Sequence, residues 1–234
     1  MTINTKTLAA IDIGTNAIRL FISNVEEYPT ETLFKKIAFL RVPIRLGEDV
    51  FTTGEIGQQK RKRLCETMQG FSYIMSAFNV ESYKAYATCA MREARNGKSV
   101  AEQIQKECDL NIEIISGTKE AETIFAGGMN EVVDDDKTYL YVDVGGGSTE
   151  VIVYSKSVKI EACSFPLGTV RMLNDAVDKE EMKHFKKWLK NITEKYTPDA
   201  IIGSGGNINK IHKLLNKKER ERITYQELDI LYEY

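Results

Sequence analysis

Residues 141–153 read YVDVGGGSTEVIV: a β-branched and aromatic run, an aspartate, three glycines, two hydroxyls, a glutamate and a second β-branched run. Glycine is unfavourable inside a strand, so three in succession either shape a tight hairpin or bare the backbone so that another group can approach it. The pattern has an earlier copy. AAIDIGTNAIRLFI (9–22) runs parallel to LYVDVGGGSTEVIV (140–153): apolar strand, aspartate, one apolar residue, glycine, short turn, second strand. Asp12 and Asp143 hold equivalent places. Two matched hairpins imply a duplicated fold with a cleft between its halves.

Working outward from the hairpins, the chain alternates strands and helices without a low-complexity linker. LAAIDIG and AIRLFISNV read as a strand pair, and ETLFKKIAFLRVPIRL (31–46) as further strands of one meander. Residues 55–78 have helical spacing, with Leu64, Met68, Phe71 and Met75 on one face. SYKAYAT and IEIIS are strands, and SVAEQIQKECD and KEAETIFAGGMNEV are helices. The acidic turn DDDK (134–137) suits a boundary, giving a first domain of residues 1–132 and a second of 133–234. The second domain offers strands TYLYVDVG, TEVIVYS, KIEACSF and DAIIGS, and helices KEEMKHFKKWLKNIT, NINKIHKLL and TYQELDILYEY. The class is α/β throughout.

Bulk properties exclude several functions. With 42% hydrophobic residues among 234, the chain can bury one large core or two small ones. Lys+Arg of 32 against Asp+Glu of 34 gives a net charge of -2, so no global basic surface advertises nucleic acid. Cys65, Cys89, Cys108 and Cys163 form no CxxC pair, which points to reduced thiols in a cytoplasmic protein rather than a zinc site. No stretch approaches 18 apolar residues, so no membrane span is expected. The basic stretches KHFKKWLK (183–190) and KKERER (217–222) read either as a track for a long polyanion or as solvated helix faces.

Hairpin glycines leave backbone N–H groups unshielded, which makes a concave anion site. A strand-end aspartate beside such a site can hold a hard cation, usually through water. A plain turn would use the same glycines. The duplication, with an aspartate in each copy, favours the anion site.

The motifs DIGTNAIR (12–19), DVGGGSTE (143–150) and GSGGN (203–207) resemble the two phosphate loops and the adenosine-type loop of the actin-like ATPase superfamily. ATCAMREARNG (87–97), SGTKEAETIFAGG (116–128) and PLGTVRM (166–172) narrow the resemblance to the exopolyphosphatase and guanosine pentaphosphate phosphohydrolase family, over about residues 8–210. It implies two actin-like, ribonuclease H-like α/β domains with an interdomain cleft. It also implies hydrolysis of a terminal phosphoanhydride, of inorganic polyphosphate or alternatively of guanosine pentaphosphate, in a protein that commonly forms homodimers. A superfamily kinase and a weakly catalytic phosphate sensor are the readings that compete.

Carried over position by position, the resemblance gives each residue a role. Gly14, Thr15, Asn16, Gly145, Gly146, Gly147, Ser148 and Thr149 would cradle the terminal phosphate from both domains. Arg19 and Arg92 would supply guanidinium forks, or else form surface salt bridges. Glu120 precedes the alanine of the family's GxxEA and would be the general base, although a carboxylate in a helix's first turn also suits the dipole. Asp143 and Glu150, helped by Asp12 through water, would hold Mg²⁺ or a similar divalent cation. Gly203, Ser204, Gly205 and Gly206 would let a base or a phosphate chain lie against the backbone, or make an ordinary strand-to-helix turn. The family places two adjacent glutamates before that alanine, whereas this chain has Lys119 and then Glu120. Family proteins also continue beyond TYQELDILYEY, so a trimmed second domain is expected here.

Overall fold

Both aspartates stand one residue from a strand end, as the repeat requires. In a computed structural model that describes residues 4–126, 134, 136–156, 158–218 and 221–233, β1 (Asn4–Ile13) and β2 (Ile18–Glu27) form one antiparallel hairpin. β6 (Thr138–Val144) and β7 (Thr149–Ser155) form the other. Each turn closes alike: Gly14 N–H donates to the Ala17 carbonyl at 3.2 Å, and Gly145 N–H to the Ser148 carbonyl at 2.9 Å.

Each hairpin is extended by an antiparallel strand on one side and a parallel one on the other. β3 (Thr32–Val42) pairs with β2, β4 (Ser82–Ala87) runs parallel to β1, and β5 (Glu113–Ile114) completes the order β3-β2-β1-β4-β5. In the second sheet β8 (Val158–Phe165) pairs with β7 and β9 (Ala200–Ser204) lies parallel to β6, in the order β8-β7-β6-β9. The expected α/β architecture of two similar halves is therefore present. The proposed boundary near residues 130–136 falls largely outside the described residues.

One expectation changes. Residues 31–46 contain a single strand, and the chain then turns at Arg45 (φ 60°) into α1 (Leu46–Thr53), a helix with no clear sequence signal. Leu46 and Val50 bury one face of that short helix, which tertiary packing fixes. α2 (Gln58–Ala77) and α4 (Gly97–Cys108) cover the first sheet, with Leu64, Met68, Val100 and Ile104 wholly buried against Ile11, Ile13 and Leu20. Each such side chain contributes about 1.5–3 kcal/mol by burial. Between them lies the short α3 (Cys89–Glu93).

The second sheet has a thinner cover. α6 (Thr169–Leu173) follows β8, and α7 (Lys179–Tyr196) lays Trp188, Leu189 and Ile192 on Val151, Val153 and Phe165. α8 (Gly205–Leu214) and α9 (Tyr225–Glu233) bury no residue fully. α5 (Gly117–Ala126), which carries Glu120, packs on β7 and β8, where Ala121 is buried with Tyr141 and Ile152. The helix assigned by sequence to the first domain thus rests on the second sheet. The lysines of α7 are mostly exposed, and Lys183, Lys190 and Lys195 pair with Glu180, Glu194 and Glu161, as solvated helix faces do.

Candidate active site

The two turns meet over one cavity of about 1010 Å³. Asp12, Gly14, Thr15, Asn16 and Arg19 line it from the first hairpin; Asp143, Gly145, Gly146, Gly147, Ser148 and Glu150 line it from the second. Glu120 closes one wall, and Gly205 and Gly206 enter from the start of α8. Duplicate strands deliver the duplicate aspartates to the same space, which is why residues so distant in sequence converge.

Four expected members do not line the cavity. Thr149 is buried and donates its hydroxyl to the Leu167 carbonyl at 2.5 Å. Arg92 does not line the cavity: its Nη1 donates to the Ile115 carbonyl at 2.8 Å and to Glu120 Oε2 at 3.3 Å. It holds the carboxylate rather than presenting an open fork. Ser204 sits beside Asp143 in the parallel β6–β9 register and hydrogen-bonds its carboxylate. Gly203 lies under Ile208 and also misses the lining.

The three glycines of the second turn have a reason that sequence alone does not disclose. A Cβ on Gly147 would stand 2.5 Å from Cys89 Sγ and 2.7 Å from Phe51 Cζ, and one on Gly146 would stand 3.1 Å from Thr15 Cγ2. The bare backbone lets the second hairpin press against the first lobe, as well as opening onto the cavity. Gly205 differs: its φ of 88° is left-handed, and a Cβ there would meet Asp143 Oδ1 at 2.5 Å. Gly206 has nothing within 4 Å, so a ligand has room there.

Electrostatics concentrate on four carboxylates. Burial, then repulsion from Glu150, raises Glu120 to about 7 against the opposing pull of Arg92. Glu150 is only 2% exposed; burial raises it, while hydrogen bonds from Ser148 and Ser164 (2.8 Å) hold it down. Burial raises Asp143 against its Ser204 hydrogen bond and Arg19, and raises Asp12 against the ion pair with Arg19. Arg19 is thus already engaged by Asp12. Among the described residues no three acidic, histidine or cysteine side chains converge tightly enough to enclose a metal. Asp143, Glu150 and Asp12 offer oxygen donors only, a donor chemistry that fits a hard cation bound through water rather than a softer metal.

Sequence reasoning missed Thr88, Thr169, Asn207 and Asn209, all on the cavity wall. Thr88, Thr169 and Asn207 lie inside quoted motifs, and Asn207 donates to the Val144 carbonyl at 2.7 Å, tying α8 to the aspartate strand. Lys119 turns outward to pair with Glu113 and lies 5.2 Å over the Tyr86 ring. All four cysteines are free, and burial with Glu93 nearby pushes Cys89 up to about 12, so it is no nucleophile. His184 and His212 lie on α7 and α8, outside the cavity. No helix among the described residues is long and apolar enough to cross a membrane.

A family model described as the Ppx/GppA phosphatase family matches residues 22–233. The chain is 32% identical over 168 residues to a bifunctional 3-dehydroquinate synthase/phosphatase of Fusobacterium nucleatum, a match covering 70% of this chain and 25% of that protein. It is 28% identical over 170 residues to exopolyphosphatase 2 of Mycobacterium tuberculosis, covering 70% of this chain and 53% of that one. The chain therefore spans about a quarter and about half of these relatives' lengths. The crystal structure of an exopolyphosphatase from Cytophaga hutchinsonii superposes with a TM-score of 0.79 at 25% identity, over 95% of this chain and 74% of that one. An Aquifex aeolicus member of the same family gives 0.75 at 24% identity, over 98% and 78%.

Proposed function

Because this chain belongs to the Ppx/GppA phosphatase family, we propose that it hydrolyses the terminal phosphoanhydride of inorganic polyphosphate, with Glu120 as the general base. The observation that carries this reading is one carboxylate, raised to about 7, on the same cavity as two backbone turns. A phosphoanhydride resists water chiefly because its oxygens are negative, so the site must neutralise charge and orient one water in line.

The terminal phosphate lies between the two turns. Gly14 and Gly145 spend their N–H groups on closing those turns, so the donors come from Thr15, Asn16, Gly146 and Gly147. Glu120 takes a proton from the water as its oxygen bonds phosphorus, and the bridging P–O bond breaks. Orthophosphate leaves, together with a chain shorter by one unit. Arg92 orients Glu120 and keeps it from rising further. Asp143, Glu150 and Asp12 would hold a hydrated Mg²⁺, which supplies neutralisation of phosphate charge when bound.

Guanosine pentaphosphate is a second reading with its own support. Beyond the turns the cavity continues to Phe21 and Phe39, flanked by Arg41 and Lys84. Flat apolar rings beside basic groups suit a nucleoside better than a bare phosphate chain. Phosphate release from long-chain polyphosphate, guanosine pentaphosphate and ATP, each with and without magnesium, tests both. Release from either of the first two, dependent on magnesium, is expected. Transfer of phosphate from ATP to an acceptor, or no turnover of any substrate, would contradict the hydrolase reading.

A further inference from the structure

Two motifs, ATCAMREARNG and PLGTVRM, have no role in the chemistry above beyond Arg92 and Thr169, yet they meet. Arg171 on α6 is buried. Its Nη2 donates to both carboxylate oxygens of Glu93 at 2.7 Å, its Nε donates to the Gly147 carbonyl at 2.9 Å, and its guanidinium lies 4.2 Å from the Phe51 ring centre. Glu93 and Phe51 belong to the first lobe, on α3 and α1. Gly147 belongs to the phosphate turn of the second.

We propose that Arg171 and Glu93 form an interlobe latch that seats the turn 145–149 against the first lobe and so assembles the hydrolytic centre. The backbone supports the same grip: the N–H groups of Thr169 and Val170 donate to the Gly145 and Gly146 carbonyls at 3.0 and 2.8 Å. α6 therefore carries the turn with it. Glu93 is chain neighbour to Arg92, which holds Glu120. One short helix thus fixes the phosphate turn with one side chain and the base with the next. The glycine contacts require this closure, since Gly147 has space only for hydrogen where it meets Cys89 and Phe51. An arginine suits the task because its fork satisfies a carboxylate and a carbonyl at once, which a lysine does not. Arg171 and Glu93 are positioning residues, and neither lines the cavity.

The kinetic part of this inference rests on the phosphatase reading; the structural part does not. The test compares the whole chain with Arg171→Met, Arg171→Lys, Glu93→Gln and the Met–Gln double variant. Phosphate release per folded molecule and amide hydrogen exchange are both measured. Arg171→Met is expected to lower kcat on the order of 10²-fold, the scale of a roughly 1 Å misplacement, and to raise KM because the cradle itself is loosened. Arg171→Lys should fall between it and wild type. Glu93→Gln, which keeps shape and a hydrogen bond, should lose less, and the double variant should be no worse than Arg171→Met, since the two residues act as one unit. Exchange should quicken at 145–149 and 89–93 and stay unchanged across α2 and α7. Wild-type kinetics with unchanged exchange at 145–149, additive losses, or exchange raised evenly through both lobes would each overturn the latch. If wild type releases no phosphate, the phosphatase reading fails, while the exchange pattern still decides the latch; if Arg171→Met does not fold, Glu93→Gln decides it.

Discussion

Asp12 sits opposite Arg19 in the first hairpin, and Asp143 sits opposite Glu150 at the matching place in the second. The backbone plan is shared, but the first hairpin closes its own charge with an ion pair while the second gathers two carboxylates. The packing differs too. The first turn carries one glycine and is tied down by α1, through Gly47 N–H to the Thr15 carbonyl at 3.0 Å and Arg45 N–H to the Asn16 carbonyl at 2.9 Å. The second carries three and is pressed into the first lobe. Duplication supplies two equivalent turns; divergence at one cross-strand position leaves Asp12 opposite an arginine and Asp143 opposite a second carboxylate.

The largest effect expected concerns a residue in neither hairpin. Glu120→Gln removes the base but keeps shape, and should lower kcat by about 10²- to 10⁴-fold with KM little changed, measured by steady-state phosphate release. Turnover close to wild type would leave Glu120 as a helix-start carboxylate. The hairpin comparison itself is sharpened by Asp143→Asn against Asp12→Asn. The first should raise the half-saturating magnesium concentration by about 10- to 100-fold. The second should change it less, because Asp12 already has Arg19. Equal shifts would erase the distinction drawn between the two copies.

Next in size is a packing effect. Gly147→Ala should destabilise the protein by about 1–3 kcal/mol in denaturant unfolding, because its Cβ would meet Cys89 and Phe51. Gly206→Ala, facing open space near the start of α8, should raise stability slightly, by about 0.4–1 kcal/mol. Smallest is Lys119→Glu. Restoring the family's second carboxylate should leave kcat unaltered, since position 119 faces Glu113 and not the cavity, and should lower the thermal midpoint slightly through like-charge repulsion.

The duplicated hairpins and the meeting of Asp12 with Asp143 were legible because strand period and a repeated Asp-x-Gly pattern are local signals, whereas Glu150 and Glu120 entered through the family resemblance. α1 was not, since its eight residues are set by tertiary contacts. Nor was the position of Arg92: a motif names the residue, but whether its guanidinium faces substrate or the Glu120 carboxylate depends on where α5 packs. The second use of the three glycines was hidden for the same reason. Close approach between lobes leaves no trace in either stretch read by itself.

The pH dependence of kcat/KM tests the role of Glu120 most directly. A general base works when deprotonated, so activity should rise with pH through the value of the free enzyme. For Glu120 that value is about 7 without a cation. With magnesium bound, the repulsion from Glu150 weakens and the inflection should move below 7 while staying above the ordinary 4.5. Glu120→Gln should abolish this limb and leave a low, flat profile across the same range. A wild-type profile already flat between about pH 5 and 7, or a limb that persists unchanged in Glu120→Gln, would contradict the assignment of Glu120 as the base.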